Sequence, residues 1–170
     1  MAAGSAVAVY LLLLGAGYVF PSRIQAAARI TINRPPENVW WVLTDYNHMA
    51  AWHPQYRNAT TLTPPGEAPL RWQIEYSDGY VVNAEVVEEK FPSRLVERIT
   101  DGNLPFGGGW TVELTPLGPN TQVTVHSNVE IHAPIQRLIV HLLVPPQTEL
   151  GRILEALKSR VESVTVRPGA

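Results

Sequence analysis

The fold is set by residues 31–54, which read TINRPPENVWWVLTDYNHMAAWHP. Just before and inside this stretch, Ile30 and Ile32 alternate with polar neighbours, a period typical of a strand with one buried face. Pro36 then opens a helix, since proline fits the first helical turn and Glu37 places a carboxylate near the positive end of the helix dipole. A second short helical piece ends the stretch. The stretch therefore predicts a strand followed by two short helices.

Six strands are predicted after this opening. In residues 70–76, apolar side chains alternate with polar ones, and residues 110–114 and 123–131 repeat the pattern. Turn residues separate the strands, and Asp78-Gly79 is a strong hairpin indicator. One apolar and one wet face per strand indicates an antiparallel sheet with a solvated outer side.

The chain ends in a helix, because residues 150–161 place apolar side chains on one continuous stripe. Residues 133–144 (APIQRLIVHLLV) predict another helix, which Pro145-Pro146 separates from the last one. We interpret this first helix as packing on the sheet and the start of the long helix. Two alternatives are that it covers a pocket or that it contacts a bilayer.

The whole arrangement resembles the START-like superfamily, also called SRPBCC, Bet v 1-like or polyketide cyclase/dehydrase-like. The resemblance extends over roughly residues 28–163 and rests on the order of four segments. These are residues 31–54, LVERI at 95–99 after Phe91-Pro92, GWTVELTP at 109–116 and TQVTV at 121–125. It implies an α+β helix-grip fold, in which a curved antiparallel sheet surrounds a long carboxy-terminal helix.

Composition narrows the classes of function. The chain of 170 residues can bury one good core, and its formal net charge of −2 argues against nucleic acid as a partner. It has no cysteine, and its five histidines are scattered without metal-ligand spacing. We therefore predict a single folded domain with no metal site, no cofactor and no nucleic-acid partner.

The amino terminus carries no charged side chain from Ala2 to Phe20. At 1.5 Å per residue, such a helix approaches the roughly 30 Å hydrocarbon thickness of a bilayer, so residues 2–21 predict a transmembrane helix. Arg23, Arg29 and Arg34 follow it, which places the folded domain on the cytoplasmic side by the positive-inside rule. The alternative is a cleaved signal peptide, which would make the protein secreted or periplasmic.

The resulting division of the chain has four parts. Residues 2–21 form the membrane anchor, 22–27 a linker, 28–164 the START-like domain and 165–170 a tail.

Candidate ligand-binding residues follow from strand alternation. A bent sheet that meets its helix along the edges leaves an apolar space, and such spaces bind small hydrophobic molecules. The side chains that face this space and differ from ordinary core residues are Trp72, Tyr76, Tyr80, Glu97, Trp110 and Ser127. His53 is expected to border the mouth of the pocket. The alternative for each aromatic residue is that it is an ordinary core residue whose polar group has a hydrogen-bond partner in the protein or in water.

Glu97 has two interpretations. Leu95 and Ile99 place it on the apolar face, where a carboxylate must be paired or protonated, so it could act as a general acid or base. The favoured expectation is a carboxylate that reaches water at a strand edge, or one that pairs with Arg94 or Arg98 through a bulge.

The predicted function is binding of a lipid or other hydrophobic small molecule by a membrane-anchored domain. The resemblance implies an enzyme alternative, a polyketide cyclase/dehydratase that uses the same cavity with Tyr76, Tyr80 or Glu97 moving protons. A third alternative is a non-catalytic protein-interaction module, which would have a packed interior and an exposed apolar patch. We favour binding over catalysis because no second catalytic group accompanies Glu97 in the sequence.

Overall fold

A curved antiparallel sheet and the helices on its inner side make up the folded domain. The computed structural model describes residues 12, 14–143 and 146–164. In chain order the elements are β1 (Arg23–Ile32), α1 (Pro36–Thr44), a 3₁₀ helix (Tyr46–Ala51), β2 (Tyr56–Thr61), β3 (Arg71–Tyr76), β4 (Val81–Lys90), β5 (Arg94–Ile99), β6 (Phe106–Leu117), β7 (Asn120–Ile131), α2 (Pro134–Leu143) and α3 (Pro146–Ser163). Within this described part, seven strands form one sheet in the order β1-β7-β6-β5-β4-β3-β2. The predicted order of elements and the helix-grip architecture are confirmed.

The core lies between the inner face of the sheet and the helices. Leu154, Leu157 and Val161 of α3 are buried against Val39 of α1 and Val123 of β7, among others. A second cluster, which includes Tyr46, Met49, Trp72 and Ile74, fills the space under the 3₁₀ helix. The apolar stripe predicted for the last helix is therefore the surface that the sheet surrounds.

The first strand is longer than the sequence suggested. β1 pairs with β7 over ten residues, from Arg23 opposite Glu130 to Ile32 opposite Thr121. The predicted linker at residues 22–27 is therefore wrong from Arg23 onward. The alanines of this segment have low β-propensity, and for this reason the sequence suggested a linker. Ala26 is nevertheless buried on the inner face of the sheet, where a small side chain fits.

The amino-terminal segment lies only partly within the described residues. Residues 1–11 and 13 of the predicted anchor fall outside them, whereas residue 12 and residues 14–19 are helical. Among the described residues, no helix is both long enough and apolar enough to cross a membrane. The anchor at residues 2–21 stays a prediction.

Two glycines allow β6 to bend beside its neighbours. Gly108 has a φ of 110°, in the left-handed region that favours glycine, and a Cβ there would collide with the backbone oxygen of Asn128 in β7. A Cβ on Gly109 would collide with the backbone oxygen of Glu97 in β5. The close approach of β5, β6 and β7 at this level is possible because glycine has no side chain at these two positions.

Candidate ligand cavity

An internal cavity of about 620 Å³ lies between the sheet, the 3₁₀ helix, α2 and α3. Strands β1, β2, β3, β5, β6 and β7 contribute to one wall, and α3 supplies the opposite wall through side chains such as Leu150, Ile153 and Leu157. Apolar and aromatic side chains dominate the lining. A packed interior, which the interaction-module alternative predicts, is not what the described residues form.

All six predicted side chains line this cavity. Three of them lie side by side across the sheet, because Glu97 of β5 pairs with Trp110 of β6, which pairs with Ser127 of β7. Strand alternation placed them correctly because each strand has one dry face. That they contact a ligand stays a prediction.

The other three predicted residues are aromatic and occupy the β3–β4 end of the cavity. Trp72 is fully buried, and its ring packs edge-on against Trp110 with centroids 6.2 Å apart. Tyr76 meets Tyr56 at 5.2 Å, and burial raises the pKa of Tyr76. Tyr80 lies in the connection before β4, is 37% exposed and packs against Phe106. The three therefore extend from the sealed interior to the surface.

Glu97 is a sequestered carboxyl group, contrary to the favoured expectation. It is 2% exposed and accepts a hydrogen bond from the indole Nε1 of Trp110. Arg94 pairs with Glu88 and Glu113 instead, on the outer side of the sheet. Arg98 likewise pairs with Glu85 at 2.5 Å. Neither water contact nor an arginine partner stabilises the charge of Glu97, so that expectation is wrong.

Burial raises the pKa of Glu97 to about 7. The side chains of Trp110, Tyr46 and Trp72 oppose this shift because their N–H and O–H groups favour the carboxylate. The pKa of Tyr46 is raised well above its usual range by burial and by the Glu97 carboxylate beside it. Glu97 thus changes protonation near neutral pH, at the edge of an apolar cavity.

Three buried side-chain atoms in this group have no hydrogen bond of standard geometry within the described part of the chain. They are Oε1 of Glu97, Nε1 of Trp72 and the hydroxyl of Tyr46. The Tyr46 ring packs on Trp72 with centroids 4.8 Å apart. We call Tyr46, Trp72, Glu97 and Trp110 the polar cluster.

The sequence missed several other residues that line the cavity. Tyr56 stacks on His53 with ring centroids 3.5 Å apart, and Gln55 donates to Glu149 of α3 at 3.3 Å. His53 itself lines the cavity as expected, and burial lowers its pKa to about 3. Tyr56, Gln55 and Glu149 fall outside the clear alternation of the central strands, where the sequence gives no sign of which way a side chain points.

Helix α2 covers one side of the cavity. Gln136, Ile139 and Val140 contribute to the lining, so the alternative in which this helix covers a pocket is supported. Ile139 and Leu142 also remain exposed on the outside. The amino-terminal segment lies against α2, since the rings of Phe20 and His141 have centroids 5.0 Å apart.

The polar chemistry that the described lining residues offer consists of two carboxyl groups, Glu97 with its donors and Glu149, one neutral imidazole, and a few hydroxyls and amides. Among the residues that the structure describes, no three His, Asp or Glu side chains converge in a way that could hold a metal ion. The arrangement can enclose an apolar molecule and orient one polar group.

Comparisons with known proteins agree with this geometry. Residues 23–162 match the model of a family described as polyketide cyclase / dehydrase and lipid transport. No curated protein sequence matches the chain significantly.

Three solved structures illustrate the likeness in fold. A Thermus thermophilus protein is 21% identical, with a TM-score of 0.70 over 84% of this chain and 100% of its own. A START superfamily protein from Mycobacterium smegmatis is 18% identical, with a TM-score of 0.65 over 83% of this chain and 99% of its own. The Zhui aromatase/cyclase of a Streptomyces species is 13% identical, with a TM-score of 0.64 over 82% of this chain and 94% of its own.

Proposed function

Because that family model matches most of its length, the chain belongs to the polyketide cyclase/dehydrase and lipid transport family, and we propose that it binds a lipid or another hydrophobic small molecule in its cavity. The observation that carries the proposal is the cavity itself. Its volume of about 620 Å³ falls in the range of small-molecule sites, and its lining is mostly apolar and aromatic.

The enzyme alternative is a cyclase or dehydratase that uses the same cavity. Glu97 favours it, because a buried carboxyl with a pKa of about 7 is suited to proton transfer. Zhui, with the same fold, is an aromatase/cyclase. We rank binding first because the described side chains that act on the Glu97 carboxyl, Trp110, Tyr46 and Trp72, are all hydrogen-bond donors, and none of them is a general base or an activated nucleophile.

The proposal extends to a membrane tether at the amino terminus, with the domain on the cytoplasmic side. Residues 2–20 carry no charge. The described part of this segment packs against α2, the helix that covers one side of the cavity. There, Gly17 approaches the backbone of Pro134, and Arg137 lies 6.0 Å from the Tyr18 ring. The exposed apolar side chains of this region are Leu12, Tyr18, Val19, Ile139 and Leu142. A tether here would hold the cavity near a source of lipid.

Filling the cavity should abolish binding. In Ser127→Trp, an indole would occupy the space between Trp110 and the helices, so hydrophobic ligand that co-purifies with the full chain should be lost. Native mass spectrometry and solvent extraction of the gently purified protein measure this. We expect at least about a tenfold drop in bound ligand.

The matched control is His126→Trp, one residue away on the exposed outer side of β7. It adds the same indole to the same strand and should leave bound ligand unchanged. Wild-type protein that carries no hydrophobic molecule under gentle conditions, and takes none up when offered, would contradict the proposal.

The tether is tested separately by flotation of the full chain with phospholipid vesicles. Leu12→Asp combined with Leu14→Asp should shift the protein from the floating to the soluble fraction, since each buried carboxylate costs about 2.5 to 3.5 kcal/mol at the centre of a membrane helix. Equal flotation of both proteins would argue against a tether in this segment. A reporter fused to the carboxy terminus that is active in the periplasm would contradict the cytoplasmic orientation.

A further inference from the structure

His53 presents its ring to the cavity from a tightly fixed position. Its backbone N–H donates to the Met49 carbonyl oxygen at 2.8 Å, and its own carbonyl oxygen accepts from the Tyr56 N–H at 3.3 Å. The imidazole stacks on the Tyr56 ring, with centroids 3.5 Å apart and an interplanar angle of 20°. Trp52 packs against the same imidazole at 5.5 Å. The backbone and both neighbouring rings therefore fix the direction in which the edge of the imidazole points.

The turn after His53 determines which ring nitrogen carries the proton. The backbone N–H of Gln55 donates to Nδ1 of His53 at 3.4 Å. Burial lowers the pKa of His53 to about 3, so the imidazole is neutral near neutral pH and carries one ring proton. Because a nitrogen that accepts a hydrogen bond does not hold that proton, the proton lies on Nε2. His53 is therefore an N–H donor through Nε2.

Nε2 of His53 is open to the cavity. Among the described residues, the imidazole takes part in one hydrogen bond, the one that Nδ1 accepts from Gln55. The side-chain atoms that are fully enclosed without a partner in this part of the chain all belong to the polar cluster, so Nε2 is not enclosed. Since His53 lines the cavity, a bound molecule can reach Nε2 without breaking a hydrogen bond between described residues.

The charges around this donor favour an uncharged ligand group. Gln55 donates its side-chain N–H to Glu149 at 3.3 Å, and Arg152 donates to the same carboxylate at 2.9 Å. The described side chains that line the cavity include the carboxylic acids Glu97 and Glu149 and no lysine or arginine. A ligand carboxylate or phosphate would lose its hydration and meet no cation in the lining, whereas a neutral oxygen loses far less on leaving water.

We propose that Nε2 of His53 anchors the ligand by donating a hydrogen bond to an uncharged oxygen acceptor, such as a ketone or ester carbonyl, on an otherwise apolar molecule. This inference rests on the proposed function, since it names the chemical class of ligand that the same cavity takes. A carbonyl oxygen only accepts, which matches an N–H donor, and an ammonium group only donates and finds no acceptor in Nε2.

The test compares three naphthalene probes whose substituents have the same number of heavy atoms: 2-acetylnaphthalene, 2-isopropylnaphthalene and 2-naphthoate. The acetyl group offers a neutral acceptor, the isopropyl group offers none, and the carboxylate is an anionic acceptor. Each probe competes with neutral N-phenylnaphthylamine for the full-length protein at about pH 7, where His53 is uncharged.

His53→Phe is the deciding variant, because it removes the donor and keeps a flat ring against Tyr56. We expect the affinity for 2-acetylnaphthalene to fall about three- to tenfold, the value of one hydrogen bond. The affinity for 2-isopropylnaphthalene should change by less than about twofold. General damage to the cavity would weaken both probes, so the selective loss identifies the hydrogen bond.

Two further variants make the result independent of one substitution. His53→Met also lacks an N–H donor but adapts its shape to the site, and it should show the same selective loss. His53→Gln retains an N–H donor and should recover part of the affinity for 2-acetylnaphthalene. The matched control is His126→Phe on the exposed outer side of β7, which should leave both affinities unchanged. Melting curves establish that each variant is folded.

The outcomes separate the two proposals. An unchanged affinity of both donor-free variants for 2-acetylnaphthalene, or an equal loss of both neutral probes, would overturn the role of His53 and leave hydrophobic binding intact. Tighter binding of 2-naphthoate than of 2-acetylnaphthalene by the wild type would also overturn it, since the site would then select an anion. Failure of N-phenylnaphthylamine and of all three probes to bind would instead count against the proposed function.

Discussion

Gly108→Ala should destabilise the protein by about 3 kcal/mol or more, because two costs coincide at this residue. The backbone has a φ of 110°, a conformation that costs a residue with a side chain about 1 to 3 kcal/mol. The new Cβ would also collide with the Asn128 backbone oxygen, which would force β6 away from β7. Thermal unfolding monitored by circular dichroism should show a melting temperature lower by roughly 10 °C.

Gly107→Ala provides the control on the neighbouring residue. A Cβ there meets only the Nε2 atom of His132, at an ordinary contact distance of 3.6 Å. We expect a change within about 1 kcal/mol, in either direction, since alanine also reduces the entropy of the unfolded chain. Similar melting temperatures for the two variants would show that β6 does not need glycine at position 108.

Stability should pass through a maximum in mildly acidic solution, because two buried groups respond to pH in opposite directions. The pKa of His53 falls from 6.5 to about 3 on folding, so the unfolded chain binds the extra proton and stability is lost as pH falls through this window. The pKa of Glu97 rises from 4.5 to about 7, so the folded protein binds the extra proton and stability is lost as pH rises.

The magnitudes are large for single groups. At 1.36 kcal/mol per pKa unit, full loss amounts to about 5 kcal/mol for His53 below pH 3 and about 3 kcal/mol for Glu97 above pH 7. The two slopes cancel between pH 4.5 and 6.5, so we expect a broad plateau there, with a net fall of about 2 kcal/mol from pH 4.5 to 3 and of less than about 1 kcal/mol above pH 6.5. Urea unfolding across this range measures the curve.

Two variants test which group causes the change in stability on each side of the pH curve. Glu97→Gln should be more stable than the wild type on the alkaline side and similar at low pH. His53→Phe should flatten the acidic limb while keeping an aromatic ring against Tyr56. If the stability of Glu97→Gln relative to the wild type does not rise between pH 4 and pH 8, Glu97 does not govern the alkaline side of the curve.

The fold and the wall of the cavity were predictable wherever the chain is periodic. Alternation in β6 and β7 fixes which side chains face inward, and for this reason Trp110 and Ser127 were found from sequence alone. The same rule explains the error about Glu97. Arg94 and Arg98 differ from position 97 by odd numbers, so they lie on the opposite face unless β5 contains a bulge, and the irregularity lies in β4 instead, between Val86 and Glu88.

Residues outside periodic segments were not predictable. Tyr46 belongs to a 3₁₀ helix and acts on Glu97 of β5. Gln55 belongs to a turn and Glu149 to the first turn of α3, and they meet at the cavity. Both contacts depend on how distant elements pack. Ala26 was missed for a different reason: alanine favours helices and is depleted in strands, and only the ladder with β7 makes it a strand residue.

The early start of β1 bears on the proposed tether, because it sets the distance between that segment and the domain. Only residues 20–22 separate the helical segment that ends at residue 19 from the strand that begins at Arg23, and three extended residues reach about 10 Å. A domain held in a bilayer through that segment would stay within one head-group layer of the surface. Cargo would then be exchanged with that same surface, and delivery to a distant membrane would require a second carrier.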